Sequence, residues 1–202
     1  MSKRHVTRFS LCILLLFLLS AFVIACGSST ASTAPKPTAT PSPTATPSPT
    51  PGVSLTVYKG AGYSIGYPGG WTLTHSNQQQ VQITDAAQSN VTIQTKTGTN
   101  TSSSLGASLV QVTLGGLRGV EKDYKEITVP SQTTVDDTTW DQGAATMTDP
   151  QIGPIKVIVL GTQNPKHPGQ LFVMFYGATQ KTFDKVNQED FQPMLKSFQF
   201  QA

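Results

Sequence analysis

Leu55 and Val57 alternate with polar neighbours, the chain turns at Gly60-Ala61-Gly62, and Tyr63-Ser64-Ile65-Gly66-Tyr67 alternates again. A period of two on both sides of a glycine turn predicts a β-hairpin. Pro68-Gly69-Gly70 breaks the pattern. Short half-buried strands are predicted at Trp71-Thr72-Leu73, Val81-Gln82-Ile83 and Val91-Thr92-Ile93-Gln94. From Ser103-Ser104 the spacing changes: Leu105, Leu109 and Val112 fall on one helical face, with Val110, Leu114 and Leu117 nearly opposite. A serine cap opens this helix, and Gly115-Gly116 is read as its end because glycine weakens a helix interior. Ile127-Thr128-Val129 then reads as a strand stopped by Pro130.

Two segments are apolar on both faces, Ile155-Lys156-Val157-Ile158-Val159-Leu160 and Leu171-Phe172-Val173-Met174-Phe175-Tyr176. Such runs mark central strands covered on both sides. Gln163 through Gly169 is the turn between them, and Thr139 to Thr148 supplies a neighbouring strand. A last helix is predicted from Lys181, with Thr182 as its cap, followed by a closing segment Ser197-Phe198-Gln199-Phe200. Hairpin-linked strands with one helix in the middle and one at the end predict an α+β domain, an antiparallel sheet flanked by helices, over residues 53–202. About 150 residues suffice for one hydrophobic core.

The first fifty residues have a different character. Lys3, Arg4 and Arg8 precede the apolar run Leu11 to Leu19, the layout of an export signal over residues 1–25. The run ends in Val23-Ile24-Ala25-Cys26-Gly27, which resembles the bacterial lipobox. The resemblance implies thioether lipidation of Cys26, cleavage before it and acylation of the new amino terminus. An uncleaved anchor is the alternative, since Phe9 to Ala25 is at the lower limit for spanning a bilayer. Both readings place the domain on the extracytoplasmic face of the cell membrane, and multiple acyl chains give stable anchoring. Residues 26–52 are dominated by Ser, Thr, Ala and Pro, with Thr38-Ala39-Thr40-Pro41-Ser42-Pro43 nearly repeated at Thr44 to Pro49. This composition predicts a disordered stalk, held extended by proline, that reaches roughly 80 Å.

Charge removes one class of partner. The chain carries 14 Lys+Arg against 11 Asp+Glu, and the excess lies in the signal segment. The mature protein is balanced and has no field to gather nucleic acid. Both cysteines, Cys12 and Cys26, precede the domain, so it is read as free of disulfides and thiolate sites.

A strand, then Gly62-Tyr63-Ser64-Ile65-Gly66-Tyr67-Pro68-Gly69-Gly70-Trp71, a middle helix, a long β-meander and terminal Phe191-Gln192-Pro193-Met194-Leu195-Lys196-Ser197-Phe198 together resemble the PsbP-like superfamily. Its members include an extrinsic subunit of photosystem II and many bacterial lipoproteins. The resemblance covers most of residues 54–200 and implies an α/β/α sandwich that works in binding or assembly, without a cofactor. It carries over no functional residue, because the matching positions are turn and core positions.

The enzymatic alternative is a small serine hydrolase. Gly62-Tyr63-Ser64-Ile65-Gly66 is a literal G-x-S-x-G, followed in order by Asp136 and His167. A nucleophile elbow needs a helix after the serine, and Tyr67-Pro68-Gly69-Gly70 forbids one. His75 and His167 lack metal-ligand spacing. Asp136, Asp137 and Asp141 form the one acidic cluster, read as a solvated turn in preference to a calcium site. Tyr63, Tyr67 and Trp71 are the candidates for lining a ligand groove, with core packing favoured because Tyr63 and Tyr67 share a strand face with Ile65. The sequence reading is therefore a monomeric, lipid-anchored module for an envelope protein or an apolar ligand.

Overall fold

The computed structural model describes residues 54–77, 79–98 and 104–201. The signal segment, Cys26, the stalk and Ser103 lie outside the described residues. The elements run β1 (Leu55–Gly60), β2 (Tyr63–Pro68), β3 (Thr72–Ser76), β4 (Gln80–Thr84), β5 (Asn90–Thr97), α1 (Leu105–Val120), β6 (Lys122–Glu126), β7 (Gln132–Val135), β8 (Thr138–Asp149), β9 (Gly153–Gln163) and β10 (Gln170–Thr179). The chain closes with α2 (Phe183–Val186), a π-helical turn (Asn187–Phe191), α3 (Gln192–Ser197) and β11 (Gln199–Phe200).

Strands β9 and β10 organise everything else. Phe172, Met174 and Tyr176 point to one face of the sheet and Leu171, Val173 and Phe175 to the other. The eight-stranded antiparallel sheet grows outward from this pair in the order β3-β4-β5-β10-β9-β8-β6, with β7 beside β8. A second sheet, β1-β2-β11, joins the helical segment from α2 to α3 on the Phe172 face. There Tyr63, Ile65, Trp140, Phe191, Phe198 and Phe200 share one buried cluster. Helix α1 covers the other face through Val110 and Leu114, which pack with Val157, Val159 and Val173. The result is the expected α+β arrangement, a sheet between helices. Each large side chain fully buried in these layers contributes about 1.5–3 kcal/mol.

Two local expectations fail, each for a tertiary reason. Helix α1 does not stop at Gly115-Gly116 but continues to Val120. Leu114 is buried and Leu117 packs on the same cluster, and this burial outweighs the ~1 kcal/mol that a helical glycine costs. The edge strand is Lys122–Glu126, not Ile127–Val129. Its backbone pairs with β8 although its side chains are mostly charged, so hydrophobic alternation could not reveal it. Ile127 and Val129 instead pack against the main cluster from an irregular segment, with the Ile127 N–H donating to the Ala144 carbonyl. The last helix begins at Phe183 with Thr182 at its N-cap position, as expected, although Thr182 Oγ1 pairs with Thr179 Oγ1 at 2.8 Å and makes no side-chain capping bond. Further along, Pro193 has no N–H for the carbonyl of Glu189, and the helix widens into a π turn just before it.

The glycines of α1 give a test of this packing. A methyl group at Gly115 meets open space, whereas one at Gly106 collides with the Asp141 carboxylate and the Gly161 carbonyl. Gly115→Ala is expected to raise unfolding stability by up to about 1 kcal/mol, and Gly106→Ala to lower it. Opposite shifts in the chemical denaturation midpoint would confirm that α1 presses on the sheet at its first turn.

Candidate functional site

The sequence-predicted chemistry converges on one end of the domain, where the β1–β2 turn, the β7–β8 turn, the β9–β10 loop and β11 meet. Strand β2 turns out of β1 through Ala61-Gly62, and Gly62 adopts φ 79°, a conformation that favours glycine. Strand β11 then pairs with β2 in the register Gln199–Ser64 and Phe200–Tyr63. Ser64 is buried, and its Oγ accepts a hydrogen bond from Gln201 Nε2 at 3.1 Å. Asp136 and Asp137, with φ of 50° and 53°, form the two-residue turn between β7 and β8. That geometry is a type I′ hairpin turn. The Asp136 carboxylate accepts the Phe200 N–H at 2.8 Å, and Lys166 Nζ donates to the Phe200 carbonyl at 2.7 Å. His167 is exposed in the β9–β10 loop, its carbonyl accepting the Gln170 N–H.

Ser64, Asp136 and His167 are thus drawn toward the same end of the fold, yet among the described residues no hydrogen bond joins any two of them. Ser64 faces a glutamine amide and Asp136 a backbone amide. A hydrolytic triad needs the base against the nucleophile and the acid against the base. The acidic cluster is likewise divided: Asp136 and Asp137 make the turn, and Asp141 Oδ1 accepts from Gln132 Nε2 at 3.1 Å. Among the described residues no group of three or more His, Cys, Asp or Glu stands where it could hold a metal.

Two of the three aromatic candidates, Tyr63 and Trp71, are engaged by other rings. Tyr63 is 3% exposed, stacks on Phe198 at 5.7 Å and meets Phe172 edge-on. Trp71 is buried against the edge of Phe191. Tyr67 is half-buried and packs on the same cluster. Burial, and after it the neighbouring Tyr58, push the Tyr63 phenol up. Burial alone pushes Tyr176 up to about 12.

A cavity of about 290 Å³ opens elsewhere, at the start of α1, lined by Leu105, Gly106, Gln132, Thr139, Asp141, Thr162 and Gln163. Beside it Gly106 and Gly161, both without side chains, let the helix approach the sheet closely. Thr162 Oγ1 donates to the Thr139 carbonyl at 2.9 Å, and Gln163 Nε2 is buried without a hydrogen-bond partner. The walls offer amides, hydroxyls and one carboxylate, a hydrogen-bonding surface with no histidine or lysine in it. None of Tyr63, Tyr67 and Trp71 lines it. Sequence reasoning missed this cavity, as it missed Lys166 and Gln201, because each arises from contacts between segments with no local pattern.

The architecture defines a class first: an α+β domain whose antiparallel sheet lies between helices, with its polar side chains tied into the frame. No protein-family model matches the sequence, and comparison with curated proteins finds no match. Solved structures do match. Cyanobacterial PsbP (CyanoP) from Synechocystis sp. PCC 6803 matches with a TM-score of 0.52 and 16% identity, over 73% of this chain and 93% of that one. The Ran-binding protein Mog1p of Saccharomyces cerevisiae matches at 0.46 and 11%, over 73% and 96%. LpqN, involved in cell envelope biogenesis of Mycobacterium tuberculosis, matches at 0.47 and 14%, over 74% and 91%. The domain has the PsbP-like fold, and at such identities the likeness shows the fold alone.

Two outcomes test the site. Ser64→Ala is expected to leave unfolding stability within about 1 kcal/mol, the loss of one hydrogen bond; a measured esterase activity that vanished on this change would establish Ser64 as a nucleophile. Tyr63 and Tyr176 keep their protons where tyrosines of an unfolded chain, near pH 10, lose them. The folded state then holds protons that the unfolded state releases. This stability is fully present below pH 10 and is lost as pH rises through about 12. Ultraviolet titration of the folded protein should show these two still protonated above pH 10, together with Tyr124, which burial and then Glu126 push up to about 12; one step near pH 10 for all five tyrosines would mean that the rings are open to solvent.

Proposed function

We propose that this chain is an envelope lipoprotein, anchored in the cell membrane through Cys26, whose PsbP-like domain acts outside the membrane as a non-catalytic module that binds or assembles with a protein partner. The observation that carries the reading is the engagement of Ser64 and Asp136 with the closing strand and its neighbour Gln201. Two of the three side chains that the hydrolase reading would use, Ser64 and Asp136, instead hold the C-terminal segment in place. The lipobox resemblance at Val23 to Cys26, the stalk composition and the balanced charge after Cys26 all support a tethered module.

A protein partner fits better than an apolar ligand. The rings of the main cluster pack against one another at centroid distances of 4.9–6.5 Å, and the cavity at α1 has mainly polar walls. Small-molecule sites are usually apolar pockets with a few placed polar groups.

Cys26→Ser is the direct test. With the native chain expressed in a bacterial host, labelled palmitate should enter the protein, the membrane fraction should retain it, and external protease should reach the domain. The serine variant should take up no label and remain at precursor size. Persistent labelling of Cys26→Ser, or a domain shielded from external protease, would overturn the anchor.

A further inference from the structure

Among the described residues, several sheet edges are closed, by different means. Strand β3 carries a bulge between Leu73 and His75, and β6 one between Lys122 and Lys125, with charged side chains along it. Bulges and charges are standard protection against unwanted strand pairing. On the small sheet, the Phe200 N–H and carbonyl face away from β2 and are capped by Asp136 and Lys166. Beyond the end of β11, the outward N–H of Gly66 donates to Ser197 Oγ at 2.8 Å.

Strand β1 lacks such protection. It pairs with β2 in unbroken register from Leu55–Pro68 to Gly60–Tyr63. Since Ser64 and Gly66 direct their backbone groups away from β1, Tyr63, Ile65 and Tyr67 bond to Gly60, Tyr58 and Thr56. Leu55, Val57 and Lys59 therefore direct theirs outward, and among the described residues nothing accepts or donates to them. Val57 is 62% exposed, the most exposed of the large apolar side chains described.

We propose that the β1 edge pairs with the β1 edge of a second copy of this chain. Antiparallel pairing about a two-fold axis through Val57 sets Val57 against Val57 and Leu55 against Lys59. The outward N–H and carbonyl of all three residues then find partners on the other copy. The two Lys59 side chains are kept apart, so no like charges stand opposite each other. The chain's own stalk is a poorer occupant. Pro51-Gly52, just ahead of β1, is not one of the residue pairs that two-residue hairpin turns favour, and the prolines repeated before it carry no N–H with which to bond a strand edge. Tethering favours the copy: two chains in one membrane meet at high effective concentration. Their stalks would leave the pair about 14 Å apart, well within reach of one surface. This concentration argument rests on the membrane reading of Cys26; the edge geometry does not. On this proposal two copies pair through main-chain hydrogen bonds, where the sequence reading expected a monomer.

The experiment uses the full chain carrying Val57→Cys or Lys59→Cys, treated with a short bismaleimide in isolated membranes and, at matched concentration, in detergent. Wild type, with Cys12 and Cys26 alone, is the control. The expected result is a covalent dimer with Val57→Cys and none with Lys59→Cys, whose thiols lie about 14 Å apart along the strands. Val57→Pro, which removes an outward N–H and no internal one, should cut co-capture of two differently tagged copies at least tenfold with unchanged circular dichroism. Absence of a dimer in both membranes and detergent, equal cross-linking by both variants, or a cross-link to a different protein would each overturn the proposal. A chain found in the soluble fraction that still cross-links through Val57→Cys would overturn the anchor and leave the edge pairing standing.

Discussion

The structure depends on the burial of β9 and β10 on both faces. A strand pair lined by Ile158, Leu160, Phe172 and Met174 on one side and Val157, Val159 and Val173 on the other cannot leave either side to water. Two covering layers are therefore obligatory. Helix α1 serves one face. The other is wider and aromatic, and it takes both the C-terminal helical segment and the small sheet. Gly106, Gly143 and Gly161 mark where α1 comes closest, since a side chain at any of them would strike the opposite layer.

The aromatic layer explains why the C-terminal segment matters. Phe198 and Phe200 insert between Tyr63, Trp140 and Phe172, with Trp140 and Phe200 stacked at 5.8 Å. A strand of two residues gains little from its own ladder, so its position rests on these rings and on the charged caps around Phe200. Hydrogen bonds to charged groups are stronger than neutral ones. Asp136 and Lys166, one from each neighbouring turn, satisfy the two main-chain groups that the edge would otherwise leave open. Charge here serves the frame, and the same is true of the exposed cluster of Arg118, Tyr124 and Glu126 between α1 and β6.

Outside this closed frame, among the described residues, two open features remain. The cavity beside α1 is small and polar, and the β1 edge offers directional main-chain groups beside an exposed valine. Strand addition obtains its affinity from the main chain and its selectivity from alternate side chains.

The sequence by itself determined the hairpin of β1 and β2, the two central strands, the existence of both helical regions and the α+β class. These are written in local periodicity, where a period of two or of nearly four states which side must be buried. It also carried the lipobox resemblance and the stalk composition. Only the tertiary structure decided that α1 passes its glycines, that Val110 and Leu114 face inward while Val112 is exposed, and that the charged segment Lys122–Glu126 is a strand. The same holds for the site residues. Ser64, Asp136 and His167 were legible as types, but their roles depended on partners far along the chain, such as Phe200, 64 residues from Asp136 and 34 from Lys166. Local pattern records which residues want to be buried; it does not record what they will meet, because that is set by how the layers pack.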